Sequence, residues 1–141
     1  MQVNPYLYFK GNCEEALGFY ERALGAKVLV KMKHSEAPVD TTNGDPAWAD
    51  KILHARMEVG GTAVMASDTP PQHYHEPAGF SLSVSTKDPA EADQIFAALS
   101  EGGTVSMPIQ ETFWAQRFGR LKDKYGTNWM VNCEKPMPQG A

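Results

Sequence analysis

The chain has 141 residues, of which 42% are hydrophobic and 21% are charged, a composition typical of one globular domain. Its formal net charge is −4, which disfavours a nucleic-acid partner because no basic cluster is available to neutralise phosphates. No apolar run is long enough to span a bilayer, and the first residues lack the basic-then-apolar pattern of a signal peptide. We therefore expect a cytoplasmic protein without membrane or nucleic-acid partners.

The first half of the sequence predicts one strand, one helix and three further strands. The helix is predicted from Cys13 to Leu24, and a capping box of Asn12 and Glu15 should begin it. Residues 34–50 lack periodicity and predict a long loop. The strands, which alternate apolar and polar residues, are predicted at 3–9, 28–33, 52–59 and 62–67.

The second half repeats this order after a proline-rich linker at 69–77. Asp88 should cap the second helix, with Pro89 at its first helical position and a stop at the glycine pair 102–103. The strands of this half are predicted at 80–85, 104–109, 114–122 and 127–133, and a frayed tail at 135–141. The fold class is therefore α+β, with two tandem βαβββ modules at about 1–68 and 78–134.

Several short motifs carry a resemblance to a known family, and together they cover nearly the whole chain. They are Asn4-Pro5-Tyr6-Leu7, Gly11-Asn12-Cys13-Glu14-Glu15-Ala16, Phe19-Tyr20, Leu24-Gly25-Ala26, Ile52-Leu53-His54-Ala55, Met65-Ala66-Ser67-Asp68, Gln110-Glu111-Thr112-Phe113-Trp114-Ala115, Asp123-Lys124-Tyr125-Gly126 and Trp129-Met130. With the paired βαβββ order, these motifs resemble the PhnB-like branch of the vicinal oxygen chelate superfamily, which includes glyoxalase I, extradiol dioxygenases, and fosfomycin- and bleomycin-resistance proteins. The resemblance implies a glyoxalase-like fold, a pocket in each cupped sheet and a homodimer. It implies no particular reaction, because enzymes and binding proteins share this fold.

The resemblance also gives a test for a metal site. Metalloenzymes of the superfamily hold their ion with His or Gln in the first strand of a module and Glu in the last. The matching positions here are Pro5 or Tyr6, Gly79 or Phe80, Met65 and Met130. Because thioethers do not suit magnesium, iron or nickel, we expect no cofactor and disfavour a divalent metal. The matched methionines fit core packing better.

Two other regions carry polar groups that could serve a site. His54 lies on the polar face of a predicted strand, and that face is either exposed to solvent or lines a cavity. The imidazole could equally be a hydrogen-bonded structural group. Glu111 and Trp114 lie between two strands, where a carboxylate beside aromatic surface could transfer protons or bind a cation. The same aromatics could instead cover a sheet edge or a dimer interface. Cys13, in the apolar stripe of the first helix, predicts a buried and unreactive thiol.

These observations favour a metal-independent protein that binds an apolar or aromatic small molecule. The residues expected to line the pocket are Tyr6, Met65, Phe80, Trp129 and Met130, with His54, Glu111 and Trp114 near its mouth. One alternative is a glyoxalase-like lyase or isomerase, or a dioxygenase, with a displaced metal site around His54 and Glu111. The other is a structural or regulatory dimer without a ligand.

Overall fold

A computed structural model describes residues 1–136 of the protein. The chain divides into two compact units, the first ending at His75 and the second beginning at Glu76. Of the tail predicted at 135–141, residues 137–141 lie outside the described part. No helix in the described part is long and apolar enough to cross a membrane.

Within residues 1–136, each unit has one α-helix and a four-stranded sheet, which confirms the predicted α+β class with two βαβββ modules. The first unit contains β1 (Tyr6–Phe9), α1 (Cys13–Leu24), β2 (Lys27–Lys33), β3 (Ile52–Val59) and β4 (Thr62–Asp68). The second unit contains β5 (Leu82–Ser85), α2 (Pro89–Ser100), β6 (Thr104–Gln110), β7 (Ala115–Lys122) and β8 (Asn128–Glu134). The loop predicted at 34–50 contains two short 3₁₀ turns.

The two sheets have the same topology. Their strand orders are β1-β4-β3-β2 and β5-β8-β7-β6. In each sheet the first and last strands of the module pair in parallel, and the other neighbours pair antiparallel. This shared order lets each position of one sheet be matched to a position of the other.

One face of each sheet packs against its helix and the other does not. In β3, Ala55 and Met57 are buried and contribute to the core beneath α1, whereas the alternate residues Arg56 and Glu58 are exposed. Side chains on a strand alternate between faces, so Arg56 and Glu58 project from the side away from α1. We call this side of each sheet the open face.

A buried carboxylate at the end of β4 fixes the start of α1. Asp68 Oδ1 accepts the backbone N–H groups of Gly11 and Cys13, each at 2.9 Å, and its Oδ2 accepts Ile52 N–H at 2.8 Å. The predicted capping box is wrong, since the Asn12 side chain makes no capping hydrogen bond. The parallel pairing of β1 with β4 brings Asp68 beside this helix start and supplies a charged acceptor instead.

The start of α2 follows its prediction. The Asp88 side chain accepts Ala90 N–H at 3.0 Å, and Pro89 occupies the first helical position. The packing of α2 on its sheet depends on Gly119 in β7, where a Cβ atom would lie within 2.5 Å of the Phe96 ring and 3.0 Å of Ile109 Cα. A residue without a side chain is therefore required where α2 approaches β7 and β6.

Candidate functional site

The larger described cavity lies in the second unit and has a volume of about 670 Å³. It is lined by the segment before β5, by the end of β7 and by the start of β8. The side chains that matter for its chemistry are Phe80, Ser83, Arg120, Lys122, Asn128 and Met130. Two of these residues, Phe80 and Met130, are among those expected from the sequence to line a pocket.

In each unit, the strand register aligns four residues, one from each strand, across the centre of the open face. In the first unit the aligned residues across β1, β4, β3 and β2 are Tyr6, Met65, Arg56 and Val30. In the second unit the aligned residues across β5, β8, β7 and β6 are Ser83, Met130, Arg120 and Met107. We call each set the central row. The internal repeat thus places a methionine beside an arginine in both units.

The register corrects one position expected from the resemblance. Ser83, and not Gly79 or Phe80, pairs with Met130 as Tyr6 pairs with Met65. Phe80 lies in the segment before β5, which begins at Leu82, so Phe80 takes no part in the pairing of β5 with β8. Phe80 instead lines the cavity, where it is 55% exposed.

A smaller cavity of about 380 Å³ occupies the matching place in the first unit. It lies at the same end of its sheet, and its lining includes Arg56 and Glu58 of β3. The register matches Arg56 to Arg120 and therefore Glu58 to Lys122, two positions further along the strand. Both cavities therefore contain an arginine at the matched position, but the residue two positions further along the strand is negative in the first cavity and positive in the second.

The ion pairing of the second cavity leaves one cation without a partner. Lys122 Nζ lies 2.7 Å from Glu76 Oε1. The Arg120 side chain is exposed and forms no ion pair or hydrogen bond within residues 1–136. Asn128 is oriented by its side-chain N–H, which donates to Pro77 O at 3.1 Å. The cavity therefore presents an unneutralised guanidinium beside neutral polar groups.

The structure brings Tyr6, His54 and Met65 together on the open face of the first unit. The Tyr6 hydroxyl and His54 Nδ1 lie 3.2 Å apart and share a hydrogen bond. Tyr6 is also paired in register with Met65, and its ring lies 5.0 Å from that of Tyr8. His54 is thus a half-buried, hydrogen-bonded histidine on the open face.

Trp129 has a structural contact that the sequence does not reveal. Although Trp129 borders the second cavity, its side chain is only 3% exposed and its indole N–H donates to Asp123 Oδ2 at 2.8 Å. The alternation of β8 puts Trp129 on the opposite face from Met130. Its ring therefore belongs to the core of the unit.

Glu111 and Trp114 are not among the residues that line the described cavity. The Glu111 side chain is 70% exposed and its carboxylate lies 3.3 Å from Lys135 Nζ. Trp114 makes edge-on ring contacts with Phe113 and Phe118, at 4.8 Å and 5.4 Å between centroids. These contacts form an aromatic cluster near the start of β7. The expected homodimer, in which such a cluster could be covered, stays a prediction.

The residues at the positions implied for a superfamily metal do not fit a hard divalent cation. They are Tyr6 and Met65 in the first unit, and Ser83 and Met130 in the second. Thioethers are soft ligands, whereas such cations require carboxylate, imidazole or similar oxygen and nitrogen donors. Within residues 1–136, no three His, Cys, Asp or Glu side chains come together as a ligand group.

Cys13 lies at the buried start of α1. Burial, and secondarily the negative charges of Asp68 and Glu14, raise the pKa of its thiol far above the ordinary value. Because the thiolate is the reactive form of cysteine, the burial of Cys13 and its raised pKa both disfavour a nucleophilic role.

Comparisons with known proteins agree with this architecture. Residues 1–132 match the family model described as 3-demethylubiquinone-9 3-methyltransferase. Protein YjdN of Escherichia coli K12 is 36% identical over 145 residues, which cover 98% of this chain and 99% of YjdN. The crystal structure of PA1353 from Pseudomonas aeruginosa is 43% identical, with a TM-score of 0.86 over 96% of this chain and 99% of that one.

More distant structures share the fold alone. The fosfomycin resistance protein FosX from Listeria monocytogenes is 9% identical, with a TM-score of 0.67 over 96% of this chain and 94% of FosX. A match at this identity transfers no activity. The extent of the family-model match and the identity with YjdN establish that the chain belongs to the PhnB-like family, described as 3-demethylubiquinone-9 3-methyltransferase.

Proposed function

We propose that the protein binds a small organic molecule with an apolar body in the second-unit cavity, without a metal ion. The observation that carries this proposal is the composition of the cavity wall. A large aromatic side chain, Phe80, is more than half exposed there, and Met130 lines the same cavity. A volume of about 670 Å³ is within the range of small-molecule sites.

The polar and charged side chains that line the cavity favour ligand binding over catalysis. Among the described residues, its lining contains no His, Cys, Asp or Glu. Those side chains supply most general acids, general bases and metal ligands in enzymes. The neutral polar groups that remain, including Ser83 and Asn128, are suited to orient a ligand by hydrogen bonds.

The apolar part of the wall supplies the affinity. Covering exposed apolar surface contributes about 25 cal/mol per Å², and Phe80 is a large aromatic surface that the fold leaves uncovered. Methionine, being flexible and polarizable, adapts its shape to different ligands. Phe80 and Met130 therefore favour an aromatic or aliphatic group over a purely polar one.

A thermal-shift screen of aromatic and aliphatic compounds, run in EDTA, tests the proposal. A ligand at a hundred times its Kd stabilises the folded state by about 2.7 kcal/mol. Phe80→Ala should weaken any compound found in the screen at least severalfold. Phe113→Ala is the matched control, since Phe113 is 89% exposed in the same unit but does not line the cavity.

Two results would count against this function. The first is a screen in which no compound stabilises the wild-type protein. The second is a set of compounds whose affinity falls equally in Phe80→Ala and Phe113→Ala. Binding that disappears in EDTA and returns with a divalent ion would contradict the metal-independent part of the proposal.

One observation favours a second candidate function, proton transfer in the first unit. Tyr6 and His54 share a hydrogen bond on the open face, and Met65 separates Tyr6 from Arg56 in the central row. A phenol paired with an imidazole can pass a proton to or from a bound carbon acid. Solvent deuterium exchange into small carbonyl compounds, lost in both Tyr6→Phe and His54→Ala, would support this candidate over simple binding.

A further inference from the structure

Arg120 lies at the centre of the open face in the second unit and faces the ligand cavity. It is aligned with Met130 on one side and Met107 on the other, so its nearest cross-strand neighbours are apolar. No carboxylate within residues 1–136 pairs with it. A guanidinium left without an anion at the wall of a cavity is available to a ligand.

The other cation of the cavity is already engaged. Lys122 lies two residues further along β7 and contacts Glu76 at 2.7 Å. The cavity lining contains both of these cations and, among the described residues, no Asp or Glu. One positive charge is therefore left for a ligand, which favours a group with a single negative charge.

The first unit provides an internal comparison. Its matching cavity has Arg56 where the second has Arg120, but it has Glu58 where the second has Lys122. The two charges in the first cavity sum to zero, so an anion gains little there. Only the second cavity combines an unpaired arginine with an excess of positive charge.

We propose that the second-unit cavity selects ligands that carry one carboxylate, and that Arg120 binds this carboxylate. This specificity rests on the proposed function, since it concerns the same cavity. The planar guanidinium donates two parallel N–H groups to the two oxygens of a carboxylate. Phe80 and Met130 then contact the apolar body of the same molecule. The ligand class is an aromatic or aliphatic carboxylic acid.

Three probes of one shape test the selection by isothermal titration calorimetry on the full chain. They are 2-naphthylacetate, the neutral alcohol 2-(2-naphthyl)ethanol and the cation 2-(2-naphthyl)ethylamine. We expect 2-naphthylacetate to bind about tenfold more tightly than the alcohol, the lower end of the range for a charge-assisted hydrogen bond because Arg120 is exposed. The amine should bind more weakly than both. The preference for the acid should shrink in 0.5 M salt, since salt screens exposed charges.

Variants at matched positions locate the effect. In Arg120→Met the affinity for 2-naphthylacetate should fall to that of the alcohol, and the alcohol should change less than twofold. Arg56→Met, the same substitution at the matching position of the first unit, should leave both affinities unchanged. Arg120→Lys keeps the positive charge but loses the two parallel N–H donors of the guanidinium, so it should retain only part of the preference for the acid over the alcohol.

The possible negative results separate an error in the role of Arg120 from an error in the proposed function. If the acid and the alcohol bind equally, or if Arg56→Met removes the preference, the role of Arg120 is wrong while small-molecule binding stands. If 2-naphthylmethylphosphonate binds much more tightly than the acid, the single-charge assignment is wrong. If none of the naphthyl probes binds and the thermal-shift screen finds no compound either, the proposed function itself is overturned.

Discussion

Substitution of Asp68 is the strongest test of which contacts stabilise the first unit. Its carboxylate is buried and accepts three backbone N–H groups, two at the start of α1 and one at the start of β3. Asp68→Ala removes all three acceptors at once. The N–H groups of Gly11, Cys13 and Ile52 would then lose their partner in or near the core.

The size of the effect follows from the number of bonds. A hydrogen bond to a charged group contributes about 1.5–3 kcal/mol, so three would sum to roughly 5–9 kcal/mol if they were independent. Bonds to one carboxylate are not independent, and water can enter the space that the side chain leaves, so we expect a loss of about 3–5 kcal/mol. A single-site loss of this size is exceptional.

Urea unfolding followed by far-ultraviolet circular dichroism measures this loss. The matched control is Asp88→Ala, which removes the other aspartate at a helix start, but an exposed one with a single capping bond to Ala90. That control should cost about 1 kcal/mol. If the Asp68→Ala loss were no more than twice the control, the three-bond account of α1 would be refuted.

Two further predictions concern packing and pH. Gly119→Ala should destabilise the protein by about 1–3 kcal/mol, because its Cβ would overlap the Phe96 ring and crowd Ile109. Gly18→Ala within α1 should instead stabilise the protein by up to about 1 kcal/mol, because a Cβ there would meet only the end of the Arg22 side chain, at 3.5 Å. Urea unfolding measures both changes and their opposite signs. The raised pKa of Cys13 comes first from burial and then from nearby carboxylates, so its contribution to stability is complete below the ordinary thiol pKa and falls as pH rises above about 9. Cys13→Ala should remove that part of the pH dependence, and an unchanged slope between pH 8 and 10 would contradict the assignment.

Helical periodicity predicted both helices well, and the capping residue predicted the start of α2. The range Cys13–Leu24 is observed as predicted, and the Asp88 cap is confirmed. The capping of α1 could not be predicted locally, because its acceptor Asp68 lies 55 residues from Cys13 in the sequence and reaches it only through the β1–β4 pairing. Local patterns do not contain contacts of that range.

The candidate site was only partly accessible to sequence reasoning. Phe80 and Met130 were predicted from the positions that the family resemblance implies, but the matched arginines Arg56 and Arg120 were missed. The reason is a one-residue difference in spacing along the chain: Arg56 and Met65 are nine positions apart, and Arg120 and Met130 are ten. An ungapped comparison of the halves aligns the methionines and misaligns the arginines, which only the strand register restores.

The central row also gives a physical reason why methionine and arginine occur together. Paired residues on neighbouring strands have Cβ atoms about 5 Å apart, so Arg120 is positioned beside the place where the resemblance would put a metal ligand. A guanidinium there repels a divalent cation, and the thioether of Met130 offers it no hard donor. The same guanidinium attracts the oxygen atoms that a metal would have polarised. Our proposal for Arg120 therefore gives a guanidinium on β7 the role that the resemblance assigns to a metal, the recognition of ligand oxygens.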